Sequence, residues 1–173
     1  MIPLTDLDAD QLCWFMHRHG VSDIALLQPM AIRAATVNFL DASTFDFDPS
    51  GMQALIFEVV EGDLHIDWCA WQPKTGQLAS WEAKAFALGQ DAIFNPATYF
   101  MGSMLRVHRT PLEWLQAERD GIVVVQPRFA HAYLRNARIS CADHAMAKQL
   151  SEWIRPPISK AEIFIEIFRE DAA

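Results

Sequence analysis

Cysteine is scarce in this chain. There are three in 173 residues, Cys13, Cys69 and Cys141, far apart and odd in number. That excludes a disulfide framework and fits reduced thiols in a cytoplasm. Positive charge is short as well: 14 Lys and Arg stand against 22 Asp and Glu, a formal net charge of -8. An acidic chain has no global field drawing in phosphate backbones, so general nucleic-acid binding is disfavoured. No apolar run approaches the roughly 20 residues that span a bilayer, and no membrane association is expected. The acidic start MIPLTDLDADQ lacks the basic and apolar regions of a signal peptide. Missing too are a Gly-rich phosphate loop, GxSxG, HExxH and a paired CxxC. The expectation is a soluble, cytoplasmic protein with no predicted cofactor.

What is present suffices for a core. Hydrophobic residues make up 51% and charged residues 21%, with six Trp and eleven Phe, so residues 1–173 read as one domain. Helical spacing covers residues 8–19 and 23–28, with Gly20 and Pro29 as stops. The period then shifts to strands at 33–40, 54–61, 64–71 and 78–83, with Gly62-Asp63 as a tight hairpin turn. Residues 41–51 read as loop, and 84–103 as loop with a short helix covering one face. From Leu105 the order becomes strand 105–108, helix 111–119, strand 122–126, helix 128–136, strand 139–141, helix 144–154 and a final strand 162–168. The fold class is therefore α+β or α/β. A single mixed sheet is expected, an antiparallel N-terminal meander joined to a βαβ-like C-terminal half, with helices on at least one face.

Three places hold residue types that carry chemistry. In EVVEGDLHIDWC simple alternation puts Leu55, Phe57, Val59, Leu64, Ile66, Trp68 and Ala70 on a core face. Glu58, His65, Asp67, Cys69 and Trp71 fall on the other. Two carboxylates opposite each other repel unless water or a cation lies between. Glu58, His65, Asp67 and Cys69 are thus candidate metal ligands, or simply the wet face of a sheet. Cys13 and His17 share a helix face four residues apart, either two ligands of a metal or a small hydrophobe beside a surface histidine. The third place is the edge where parallel strands end. There His108, Cys141, Asp143 and His144 are candidate catalytic residues, and Arg109 and Arg128 candidate anion ligands. Helix capping by Thr110 and Asp143 accounts for part of the same pattern.

The stretch LRVHRTPLEWLQAERDGIVVV, with VEGDLHIDWCAWQPKTG upstream, resembles short uncharacterised proteins of bacterial prophage-type gene clusters, over roughly residues 54–155. That resemblance implies a cytoplasmic location and no assigned activity. Glu61 and Cys141-Ala142-Asp143 also resemble the metal-binding carboxylates of the toprim fold of primases. Ala145 stands where that pattern needs its second aspartate, which removes a Mg²⁺ ligand. Two functions stay open. One is a non-enzymatic interaction or accessory protein with a protein partner or self-association. The other is a small enzyme or ligand-binding module with an anion site at the C-terminal strand edge.

Overall fold

A computed structural model describes residues 2–156; the strand expected at 162–168 lies outside them. Along the chain run β1 (Thr5–Asp6), α1 (Ala9–Cys13), α2 (Asp23–Leu27), β2 (Arg33–Phe39), β3 (Phe45–Phe47), β4 (Met52–Glu61), β5 (Leu64–Gln72), β6 (Gln77–Ser80) and β7 (Ala87–Leu88). Then follow β8 (Leu105–His108), α3 (Pro111–Gln116), β9 (Ile122–Val124), α4 (Ala130–Leu134), β10 (Ile139–Cys141) and α5 (His144–Ile154). The mixed class, the antiparallel meander and the helix-linked parallel half are all present. The single sheet needs correction. Hydrogen bonds divide the strands into one sheet ordered β1-β2-β4-β5-β6, with β3 on β2, and another ordered β10-β8-β9-β7.

The division has a local cause. After β6 the chain does not return along the meander. The backbone N–H groups of Glu82, Lys84 and Ala85 donate to the carboxylate of Asp67 at 2.9–3.3 Å. That contact turns the chain away, and β7 pairs antiparallel with β9 in the second sheet instead. The two sheets then share a core. Leu55, Phe57, Val59 and Trp71 of the first meet Leu88, Val123, Trp114 and Leu115 of the second sheet and α3. Phe15, Ala25 and Leu26 from the N-terminal helices close its side. Helices α4 and α5 cover the far face of the second sheet through Ala130, Leu134, Met146 and Leu150.

The first sheet curls until its ends meet. Thr44, just before β3, bridges Ser80 at the end of β6, and Ser80 N–H donates to Ser43 O at 3.0 Å. Five strands therefore wrap a narrow interior. Its register rows place Ala35 beside Ala54, Ile56 beside Ala70, and Ala70 beside Ala79, all buried. Alanine in four strands leaves room for the Phe45 ring at the centre, as small barrels require. Gly51 allows the chain to re-enter the sheet, since a Cβ there would lie 2.2 Å from Val37 O.

The hairpin β4–β5 departs from simple alternation. Glu61 pairs with Leu64 and Val60 with His65 as expected, but then Val59 pairs with Asp67 and Glu58 with Trp68. Ile66 is the extra residue of a β-bulge. Beyond it every β5 side chain changes face. Cys69 and Trp71 turn toward the shared core and Asp67 meets the 82–85 backbone, while Trp68 and Ala70 turn to the curled interior.

The seam rests on a turn held by Asp41. Its carboxylate accepts from Ser43 N–H at 2.6 Å, Ser43 Oγ at 2.9 Å and Thr44 N–H at 2.7 Å. These bonds, the Ser43 N–H first, pull its pKa from 3.8 to about 2. A depressed carboxylate stabilises the fold above its unfolded pKa, and that contribution is lost as pH falls through the folded one. The Asp41 carboxyl is therefore expected to titrate near 2 by NMR. Asp41→Asn should flatten the loss of stability between pH 3.8 and about 2.

Candidate functional site

Where the first sheet is open, at the end away from the Asp41 turn, a cleft of about 420 Å³ is lined by Ile2, Glu58, His65, Asp67, Trp68, Trp81 and Glu82. Strand β4 supplies Glu58 and β5 supplies His65 and Trp68, on one face because the bulge falls between the last two. His65 Nδ1 lies 2.9 Å from Glu58 Oε1, and its ring sits 5.1 Å from the Trp68 ring. Trp81 follows β6. Its N–H donates to Trp68 O at 2.8 Å, its ring packs edge-on to Phe47, and its Nε1 reaches Asp46 Oδ1 at 3.3 Å. Glu82 carries an ion pair with Lys84 at the rim.

Of the four candidate ligands in this hairpin, Glu58, His65 and Asp67 line this cleft, and Glu58 and His65 contact each other. Asp67 is buried, and both its oxygens are taken by backbone N–H groups, including that of Trp68 at 2.8 Å. Cys69 is buried in the shared core, where burial and then the neighbouring Asp67 push its thiol well above 9.0. The bulge sends Cys69 to the shared core and commits the Asp67 oxygens to the backbone. Among the described residues, no three His, Cys, Asp or Glu side chains form a group able to hold a metal ion.

The second candidate region lies where β8, β9 and β10 end. These strands are parallel and their ends do gather. Helix α3, which follows β8, packs toward the first sheet, and α5, which follows β10, packs on the opposite face. The gap between β8 and β10 is thus a topological switch point, where α/β sheets bind ligands. Here it is occupied from within: Arg109 forms an ion pair with Asp143, which also caps α5 by accepting from Met146 N–H at 2.9 Å.

The other residues diverge. Cys141 lies under the opposite flank of α5, with Ala147, Leu150 and Ile154. His108 Nε2 meets Asp120 O at 2.8 Å. Arg128 lies over the Phe129 ring and donates to Ala83 O at 3.3 Å. His144 is exposed. In the toprim comparison, Glu61 ends β4 and accepts from Gln90 Nε2 at 2.7 Å, while Asp143 caps a helix of the other sheet. Cys13 is exposed, not buried, and the helix relaxes into a π-turn over Trp14–Arg18, which disturbs its spacing to His17.

Simple alternation puts Trp68 on the face of Leu55 and Phe57, whereas it packs in the curled interior, and it does not single out Trp81 or Glu82. A tryptophan directly after a strand, beside a carboxylate, was the available signal. No protein-family model matches the chain, and no curated protein or solved structure does either.

Two outcomes are expected. Asp67→Asn leaves backbone N–H groups facing an amide, and urea unfolding should show a loss of about 2–4 kcal/mol. A thiol reagent applied to native protein should modify Cys13 quickly and Cys69 only on unfolding, because the thiolate reacts and burial suppresses it.

Proposed function

We propose that the chain is a non-enzymatic interaction or accessory protein, in the setting of the prophage-type gene clusters that its sequence resemblance implies. Residues 94–104 are its binding surface. The observation that carries this is exposure: Phe94, Phe100, Met101 and Met104 all face solvent, Phe100 at 70% and Met101 at 90%. Apolar side chains gathered in this way mark protein-binding surfaces.

The segment is a built framework. Asn95 accepts from Ala97 N–H at 3.0 Å, Thr98 Oγ1 donates to Ala92 O at 2.8 Å, and Tyr99 OH donates to Ile93 O at 2.9 Å. Met101 sits at φ 51°, a strained value for a residue with a side chain. Strain at an exposed apolar residue fits a surface held ready for a partner. The partner presents an apolar groove, to which methionine adapts readily. An anion-binding enzyme at the C-terminal strand edge has less support, because Arg109 already serves Asp143.

The test is native mass spectrometry of gently purified protein, wild type against Phe100→Ser with Met101→Ser. An added polypeptide mass is expected on the wild type, another chain or a second copy, and not on the variant, with circular dichroism unchanged. A bare wild-type mass overturns the reading. So does a catalytic turnover that disappears in His65→Ala or His144→Ala.

A further inference from the structure

We propose that the cleft between Trp68 and Trp81 binds an organic cation, the ammonium or guanidinium group of a lysine or arginine side chain on a partner protein. This rests on the interaction reading above but uses a different surface, on the other sheet.

The lining sets the chemistry. Two indoles form its walls, and indole faces attract cations through the ring quadrupole. Glu58 and Glu82 add carboxylates, and His65 is the one basic side chain among the lining residues. The Asp67 carboxylate also lines the cleft and adds negative charge while its oxygens remain bound to backbone N–H groups. A metal ion does not suit this arrangement, because the Asp67 oxygens are taken by backbone N–H groups, Glu58 is engaged by His65 and Glu82 by Lys84, which leaves too few oxygens for a hard cation. An alkylammonium or guanidinium suits it, with its stem against the rings and its head at Glu58. The same chain already seats a cation on an indole elsewhere, where Arg119 lies 5.4 Å from the Trp114 ring centre.

The surroundings favour a protein side chain over a free amine. A second cleft of about 350 Å³ shares the Glu58 and Trp68 wall and continues past Leu4, Met30 and Arg33. An extended segment would place its basic residue in the first cleft and its neighbouring residues along the second. Arg33 is already matched by Asp6 and so does not repel the ligand strongly.

The experiment titrates the full chain with blocked lysine and arginine (N-acetyl, N-methylamide), with blocked norleucine as the neutral shape control. The readout is the indole N–H signals of Trp68 and Trp81 in ¹⁵N–¹H NMR, assigned from Trp68→Phe and Trp81→Phe. Saturable shifts at both indoles are expected with the two cations and none with norleucine. Glu58→Gln, which keeps an acceptor for His65, should weaken binding roughly tenfold, as loss of a charged partner does. Should that variant misfold, Glu82→Gln at the rim gives the same comparison. Unmoved indole signals at high concentrations of both cations, or an equal response to norleucine, overturn the proposal. Butylammonium binding as tightly as blocked lysine would make the ligand a free amine and overturn the partner assignment. These probes do not touch residues 94–104, so either proposal can fail alone.

Discussion

The buried carboxylate of Asp67 is the joint on which the two sheets turn. Taking a carboxylate out of water is costly unless donors replace the water. Here the donors are backbone N–H groups of Trp68, Glu82, Lys84 and Ala85. They belong to β5 and to the segment after β6, so satisfying the charge fixes the path of the chain between sheets. Asp67 can do this only because Ile66 is bulged. Without the extra residue, the aspartate would face the curled interior and the turn at 82–85 would lose its anchor. Trp81, one residue before that turn, would lose its place beside Trp68.

Other long-range polar contacts work in the same direction. Gln126, from the loop after β9, donates its amide to Ser43 O at 2.8 Å and to Ser80 Oγ at 3.4 Å. A residue of the second sheet thereby locks the seam that closes the first. Gln90 accepts from Phe86 and Ala87 N–H and donates to Glu61, tying the β4–β5 hairpin to the start of β7. Arg119 reaches across to Ala25 O at 2.6 Å and Leu26 O at 3.4 Å, covering carbonyls at the end of α2. Each sheet thus depends on groups supplied by the other, which is why their boundary is packed instead of open.

The sequence was most readable where structure is local. The bounds of β8, β10 and α5 follow from alternation, apolar runs and caps, as did the meander. It was least readable where a distant contact decides. β1, β3 and β7 are two or three residues long, too short for a period to show, and exist because a partner strand receives them. The bulge at Ile66 leaves no compositional mark, so alternation placed Asp67 and Cys69 with Glu58 and sent Trp68 to the core. Glu58 and His65 were assigned to one face correctly because the register up to Val60 and His65 is set by the turn. At the C-terminal edge, strand order was legible, but side-chain direction was not. Cys141 alternates with Ser140 on a three-residue strand, and its face is decided by α5.

Residues 81–104 unite these observations. They link the sheets, and within them residues 84–103 carry no clear period in the sequence. Ala83 and Met101 both adopt left-handed backbone there, which side-chain-bearing residues do at a cost. The cost is sustained by Asp67 at one end and by the Thr98 and Tyr99 bonds to the preceding turn at the other. Local preference is overridden in this linker and nowhere so densely in the strands. The aromatic wall of Trp81 and the exposed Phe100 and Met101 sit on it. Locally inconsistent segments that a fold maintains through distant contacts are where function is expected to lie. Because the anchors are buried while Phe100 and Met101 are exposed, substitutions at those two positions leave the packed clusters intact, whereas Trp81 also packs on Phe47.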